Sequence, residues 1–214
     1  MKKKMKASEL KYLAMLAMFL DHYAVILVEE SSFTYVLFRS IGRIAFPIFA
    51  FFIVEGFKKT KNLKAYLFNL FILGLLSEVP FNLMVGEKFF DPNYQNVYFT
   101  LFLGLCMLTC LDKSPENKGI DLLIIVGFSY LSYILRTDYS IFGLVYMALI
   151  FGLDQRLDKF VSAGLLFITT PWALVGIYLV LYAYNGERGK QDKLFNYLFY
   201  PLHILVLYLI SVFL

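Results

Sequence analysis

The sequence predicts an all-α integral membrane protein, a polytopic bundle of about eight transmembrane helices that forms one domain over residues 1–214. Hydrophobic residues make up 60% of the chain and the mean hydropathy is +0.68, whereas the apolar share of a soluble domain is nearer half. Several stretches also reach about 20 apolar residues, the length that a helix needs to cross a bilayer. The net charge of only +4 gives no reason to expect a nucleic-acid partner.

The apolar stretches set the bounds of the predicted spans, which are 10–28, 33–57, 63–85, 97–111, 120–135, 141–153, 160–184 and 194–214. The fourth to sixth are short for a full crossing, and Pro171 lies inside the seventh. The start "MKKKMKASEL" resembles the charged region of a signal peptide. Because Asp21 and His22 interrupt the apolar run behind it and no small-residue cleavage site follows, we expect this segment to be retained.

The distribution of basic residues predicts that the N-terminus is cytoplasmic. With this orientation the inner side holds 13 lysines and arginines, Lys2 and Lys3 among them, and the outer side holds 5. Such a bias is typical of cytoplasmic loops. Three of the five outer charges lie in the loop at 185–193, which moves to the inner side if the seventh span does not cross fully.

Polar residues from sequence-distant segments fall at a similar depth in the predicted bundle, toward its outer half. They are Asp21, His22, Arg39, Arg43, Glu78, Asn82, Gln95, Asn96, Thr100, Asp138, Tyr139 and His203. A charge in hydrocarbon costs about 2.5–3.5 kcal/mol on insertion scales, so such groups pair or line a cavity. We interpret the set as a water-accessible site, and a structural network of ion pairs is the alternative. With only two histidines and no dense ligand cluster, we expect no metal.

His22 is the most useful chemical group of this set. An imidazole titrates near neutrality and can take a proton from an amine or a hydroxyl nucleophile. Its neighbour Asp21 need not be its partner, since adjacent helix residues point about 100° apart. Lys11 lies on the same face as His22, about 16 Å away, because eleven residues are almost three helical turns. This distance is close to the reach of an extended phosphopantetheine arm.

A basic residue followed by ten residues and a histidine resembles the first-helix motif of transmembrane acyltransferases, including the acyltransferase-3 type. Lys11 and His22 match the motif, with Lys in place of the more usual Arg. The chain as a whole resembles the TraX family, whose founding members acetylate the N-terminus of conjugative pilin. The stretches that carry this resemblance are "FLDH" (19–22), "IGRIAFPIFAFFIVEGF" (41–57), "SEVPFNL" (77–83), "QNVYFTLFLG" (95–104), "YNGERG" (184–189) and "YLFYPLHILVLYLI" (197–210).

The resemblance implies acetyl transfer from acetyl-CoA to the N-terminal amine of a pilin-like or other peptide, in the plasma (inner) membrane of a bacterium, with lipid around the protein. The residues expected to take part in catalysis are His22, Asp21, Glu78, Arg43 and His203. Those expected to bind the cofactor, acetyl-CoA, are Lys11, Arg188 and Arg39. Those expected to bind the acceptor are Gln95, Asn96, Asn82 and Asp138.

The expected roles range from proton transfer to binding of CoA. His22 is the general base, with His203 as the alternative base. Arg43 offers a fixed cation for a developing oxyanion or a carboxylate, and Glu78 balances it or receives the ammonium of the acceptor. Arg188 holds a phosphate of CoA only if its loop is cytoplasmic.

Three other functions stay open at this point. The same chemistry suits O-acetylation of an envelope glycan. A proton-coupled carrier of small molecules also places His, Asp and Arg within the membrane, although we find no internal repeat of the kind that many carriers have. A non-catalytic membrane scaffold is the fourth reading, and it predicts that His22→Ala leaves function intact.

Overall fold

The computed structural model of the protein describes residues 4–115 and 117–214, so Lys2 and Lys3 lie outside the described residues. The described chain is all-α, as predicted. Its helices are α1 (Ala7–Leu27), α2 (Phe33–Gly42), α3 (Ala45–Lys59), α4 (Leu63–Gly86), α5 (Val97–Asp112), α6 (Lys118–Ile134), α7 (Ser140–Gly152), α8 (Arg156–Leu166), α9 (Trp172–Tyr178, continued by a π-helical turn over Leu179–Ala183) and α10 (Lys193–Phe213).

Within the described part of the chain, four helical segments are long and apolar enough to cross a membrane, namely Ala7–Leu27, Phe33–Lys59, Leu63–Gly86 and Leu194–Phe213. Asparagine and aspartate side chains fix the starts of several helices by accepting backbone N–H groups that the helix leaves unpaired. Asn62 begins α4 in this way and Asp192 begins α10. The second predicted span contains a break, since α2 ends at Gly42 and α3 begins at Ala45.

The helices form two compact units, and the division falls within α3. One unit comprises the chain up to Phe52 together with Asp154–Leu214, and the other comprises Ile53–Leu153. In the second unit α5 packs against α4, α6 and α7. Gly104 of α5 faces Met147 of α7, and a Cβ at this position would collide with the methionine sulfur.

In the first unit α1 packs against α2 and α10. The ring of Tyr12 lies 6.4 Å from that of Phe195, and the ring of Phe19 lies 6.2 Å from that of His203. Since the contact positions rise together along both helices, α1 and α10 run parallel. Their N-terminal ends therefore lie at the same end of the unit.

The seventh predicted span, 160–184, is not a single helix in the structure. The chain turns back over residues 167–171, so that α8 and α9 form an antiparallel hairpin in which Phe160 meets Tyr182 at 5.9 Å. Pro171 directly precedes α9, and a proline disfavours helical backbone at the residue before it, which keeps α8 and α9 separate. The 11 residues of α8 reach only about 17 Å, against about 30 Å for the hydrocarbon of a bilayer.

The hairpin returns the chain to the N-terminal end of the unit. Met5 pairs with Tyr184 in an isolated β-bridge, through Met5 N–H to the Ala183 carbonyl at 2.8 Å and Asn185 N–H to the Met5 carbonyl at 2.9 Å. The loop at 185–193 therefore lies beside the start of α1. Its placement on the opposite side, which the sequence analysis used for Arg188, Lys190 and Lys193, is wrong, because the preceding segment is a hairpin rather than a crossing.

Gly189 closes this contact between the loop and the N-terminal segment. Its backbone has φ +69°, and a Cβ there would collide with the hydroxyl of Ser8. The Ser8 N–H donates to the carbonyl of the adjacent Arg188 at 3.1 Å. Only glycine satisfies both the left-handed backbone and the close approach.

We expect Gly189→Ala to destabilise the protein by at least about 1–2 kcal/mol, the cost of a left-handed backbone for an L-residue. The measurement is thermal unfolding in detergent. Gly127→Ala is the matched control, because this glycine lies inside α6 with no atom near enough to meet a new Cβ. Unfolding of Gly189→Ala at the wild-type temperature would contradict the described loop contact.

We also expect a cysteine at Lys190 to react with a membrane-impermeant thiol reagent from the same side as a cysteine at Lys4. Glu30→Cys, at the other end of α1, should react from the opposite side, because α1 is long enough to cross. The background is a chain in which Cys106 and Cys110 are replaced by alanine. Labelling of Lys190→Cys together with Glu30→Cys would show that residues 156–183 cross the membrane after all.

Candidate active site

The two histidines of the chain meet in the first unit. His22 of α1 and His203 of α10 are buried, with 8% and 7% of their surface exposed. Nδ1 of His22 lies 2.7 Å from Nε2 of His203. The two histidines are alternative bases on sequence grounds alone, and their contact was not predicted.

The two imidazole rings lie edge to edge in nearly one plane. Their planes differ by 9° and their centroids are 4.9 Å apart. This centroid separation is close to the N···N distance plus the distance from each ring centre to its nitrogen, so the two nitrogens lie on the line between the ring centres. Rings stacked face to face could not approach within 2.7 Å. The geometry is that of an in-plane N–H···N hydrogen bond.

A second hydrogen bond anchors the pair to the backbone. Nδ1 of His203 lies 2.6 Å from the carbonyl oxygen of Phe199, one turn earlier in α10. The rings of Phe19, Phe199 and Tyr200 surround the imidazoles. Apolar walls of this kind hold the rings in place and keep bulk water away from them.

The acid beside His22 binds an arginine instead of an imidazole. Oδ2 of Asp21 accepts a hydrogen bond from Nη1 of Arg39 at 2.9 Å, and both side chains are largely buried. Asp21 also packs directly against the backbone of Gly42, where there is no room for a Cβ. Arg39 was expected to bind the cofactor, and the structure places it in this ion pair.

Arg43 follows α2 at the break before α3. Its guanidinium and that of Arg39 both lie within electrostatic range of the His22 ring. Cationic groups therefore approach the imidazole pair from α2, while Asp21 supplies the negative charge on α1. This part of the predicted polar set, with His203, is brought together as expected.

A second group of cations lies at the N-terminal end of the same unit. Nζ of Lys11 donates to Oε1 of Gln191 at 3.2 Å and lies 5.2 Å from the centre of the Phe52 ring. Arg188 is near enough for the two positive charges to repel. Glu187 is bound by Lys6 at 3.1 Å. Within residues 4–115 and 117–214, Lys11 has no carboxylate partner, which leaves this end able to take an anion.

The second unit contains a separate polar cluster around Glu78 of α4. The Asn96 backbone N–H donates to Oε1 of Glu78 at 3.1 Å, and its side-chain amide donates to the same oxygen and to the Gly74 carbonyl. Asn96 also caps α5 by accepting from Tyr98 N–H. The side-chain amide of Asn82, also on α4, lies close enough to the Glu78 carboxylate to interact with it.

Two residues predicted to bind the acceptor instead tie loops of this unit. The backbone of Gln95 pairs with Arg136 and Asp138, at 3.0 and 2.9 Å. The carboxylate of Asp138 accepts from the Tyr94 hydroxyl at 2.9 Å. Thr100 donates to the Asp138 carbonyl. These contacts give both residues a structural role.

The partly buried carboxylate of Asp91 borders this cluster. The side chain of Gln95 reaches the carbonyl of Asp91 at 3.3 Å. Hydrogen bonds from the backbone and the side chain of Asn93 lower the pKa of Asp91, so this loop keeps its negative charge to lower pH than an ordinary aspartate would.

Sequence reasoning missed two partners in the site. The spacing of four between Phe199 and His203 puts a carbonyl within reach of the ring, so this contact had a sequence signal. Gln191 had none, because its position depends on the hairpin formed by α8 and α9. Among residues 4–115 and 117–214 there is no group of three or more His, Cys, Asp or Glu side chains that could hold a metal ion.

Comparison with known proteins supports the resemblance to the TraX family. The model of the family described as TraX protein matches residues 6–211. A relative from Dichelobacter nodosus, the probable fimbrial assembly protein FimC of serogroup H1, is 27% identical over 231 residues, which cover 94% of this chain and 93% of the relative. No solved structure matches. Since the family model covers nearly the whole sequence, the chain belongs to the TraX family.

Proposed function

We propose that the protein is an acetyltransferase of the bacterial inner membrane that moves acetyl from acetyl-CoA to the N-terminal amine of a pilin-like peptide. The hydrogen-bonded pair of His22 and His203 is the observation that carries this proposal. The family resemblance and the relative named for fimbrial assembly support a pilin-associated role.

In this proposal the first unit binds the phosphates of acetyl-CoA at one end and its thioester at the other. Lys11 and Arg188 form a cationic end for the phosphates of CoA, and Gln191 adds a polar contact. His22 lies about 16 Å further along α1, which matches the length of an extended phosphopantetheine arm. With the loop at 185–193 on the N-terminal side, its positive charges join the predicted inner side, which favours a cytoplasmic N-terminus and a cytoplasmic donor.

The residues around His22 can supply the proton transfers and the positive charge that this acetyl transfer needs. The amine nitrogen attacks the thioester carbonyl and gives its proton to His22, so that an N–C bond forms and the carbonyl oxygen becomes an oxyanion. Arg43 supplies a fixed positive charge for that oxygen. When the C–S bond breaks, His22 returns the proton to the sulfur. The products are the N-acetyl peptide and free CoA.

Replacing the base should remove this activity. We expect His22→Ala to lower peptide-dependent CoA release from acetyl-CoA by about 10²–10⁴-fold, the usual contribution of a general base. The assay uses detergent-purified protein and a peptide with a free N-terminus. Tyr23→Phe is the control, since it changes the next residue of α1 while keeping the ring that contacts Phe19 and Phe38.

Equal release by His22→Ala and the wild type would contradict the assignment of the base. Absence of both turnover and CoA binding in the wild type would contradict the acetyltransferase itself. Flux of a small molecule into liposomes would then favour the carrier, and turnover with sugars but not with peptides would favour the glycan O-acetyltransferase.

Binding of CoA should depend on the cationic end. We expect Lys11→Gln and Arg188→Gln each to raise the Kd for CoA about tenfold or more, because each removes a charge-assisted contact to phosphate. The wild-type Kd should also rise with salt concentration. Lys6→Gln is the matched control, because this exposed lysine lies at the same end and already pairs with Glu187. Equal Kd values for all four proteins would place the CoA site elsewhere.

A further inference from the structure

We propose that the carbonyl of Phe199 fixes the direction of the hydrogen bonds in the histidine pair, which makes Nε2 of His22 the basic nitrogen and His203 its positioning residue. The assignment of protons follows from the contacts alone. The role in catalysis rests on the acetyltransferase function proposed above.

The chain of hydrogen bonds has one fixed end. A carbonyl oxygen only accepts, so Nδ1 of His203 carries the hydrogen in its 2.6 Å contact with Phe199. A neutral imidazole has one N–H, and Nε2 of His203 therefore carries a lone pair. That nitrogen lies 2.7 Å from Nδ1 of His22, which must donate to it.

The same rule then applies to His22. Because Nδ1 of His22 holds its only hydrogen, Nε2 of His22 carries the free lone pair. No side chain or carbonyl among residues 4–115 and 117–214 makes a hydrogen bond to this nitrogen. Both nitrogens of His203, in contrast, are used by Phe199 and His22.

A groove of about 520 Å³ reaches His203 along α10, between Phe19, Phe199 and Leu202. Both nitrogens of His203 are already engaged, one by Phe199 and the other by His22. A substrate in the groove therefore finds no base at His203. The proton must be taken at His22.

The surroundings suit a base that holds its proton briefly. On α1 the nearest charged side chain is Asp21, which binds Arg39 of α2. Arg39 and Arg43 repel a positive His22, and the two described groups of α10 that contact it, His203 and Tyr200, are neutral. When Nε2 accepts the proton of the amine, the hydrogen bond from Nδ1 lets His203 share the charge. The arginines then favour return of the proton to the leaving sulfur.

The first test reads the tautomers directly and needs no activity. Nitrogen-15 spectra of histidine-labelled wild-type protein in detergent, at neutral pH, contain signals from only two rings, and His203→Gln assigns them. We expect hydrogen on Nδ1 in both rings and a bare Nε2 in both. Hydrogen on Nε2 of either neutral ring would overturn the proposal, whether or not the protein is an acetyltransferase.

The second test separates positioning from simple packing. Glutamine at position 203 can accept from Nδ1 of His22 and donate to Phe199, whereas leucine can do neither. We expect kcat to fall about 10²-fold or more in His203→Leu and less than tenfold in His203→Gln, with the KM for acetyl-CoA unchanged in both. Equal kcat values for the two variants would overturn the positioning role.

The two tests distinguish failure of the proposed function from failure of the histidine-pair proposal. If wild-type protein shows no acetyl transfer, the proposed function fails, and the nitrogen spectra still decide the hydrogen-bond direction. If transfer occurs and His203→Leu retains the wild-type kcat, only the positioning role fails. If His203→Leu does not fold, the His203→Gln kcat and the wild-type spectra keep the proposal open to refutation.

Discussion

The parallel packing of α1 against α10 is the constraint on which the site depends. Two imidazoles that share a hydrogen bond must approach within 2.7 Å, and each comes from a different end of the sequence. Parallel neighbours in a bundle require that the chain return to its starting side between them. The hairpin of α8 and α9 leaves the chain on that side because it does not cross, and the bridge between Met5 and Tyr184 holds it there.

This arrangement also joins the two functional ends of the first unit. The segment that pairs with the N-terminus carries Arg188 and Gln191, which surround Lys11. The helix that follows the segment carries His203. A single topological feature therefore places the cations and the imidazole pair along the same pair of helices, with Gly189 allowing the loop to close on Ser8.

The sequence was sufficient for what local patterns determine. Hydropathy located the four long spans with bounds within a few residues of the structure, and helical periodicity put Lys11 and His22 on one face. It could not distinguish one 25-residue span from two short antiparallel helices over 160–184, because both are equally apolar and Pro171 is compatible with a kink or a turn. Because of that ambiguity, the loop that carries Arg188 was predicted on the wrong side, and the contact of Gln191 with Lys11 was not predicted.

The pairing of the polar residues was also beyond sequence reasoning. Depth arguments put Asp21, Arg39 and His203 at one level with His22, but which of them touch depends on rotation about each helix axis. In the structure Asp21 pairs with Arg39, and His22 pairs with His203. The contact of Asn96 with Glu78 depends on how Asn96 caps α5 and on how α5 packs against α4. The residue pattern of either helix does not show this packing.

The use of a histidine rather than an acid beside His22 has a physical rationale in a membrane. An ionised carboxylate at this position would need its own counter-charge, at a cost of about 2.5–3.5 kcal/mol if left unpaired. His203 is a neutral acceptor anchored by a backbone carbonyl, so the pair carries no charge before the reaction. In the proposed reaction the charge appears only while His22 holds the proton, and Arg39 and Arg43 oppose its staying there. A base of this kind suits a site that must return the proton to a leaving group within hydrocarbon.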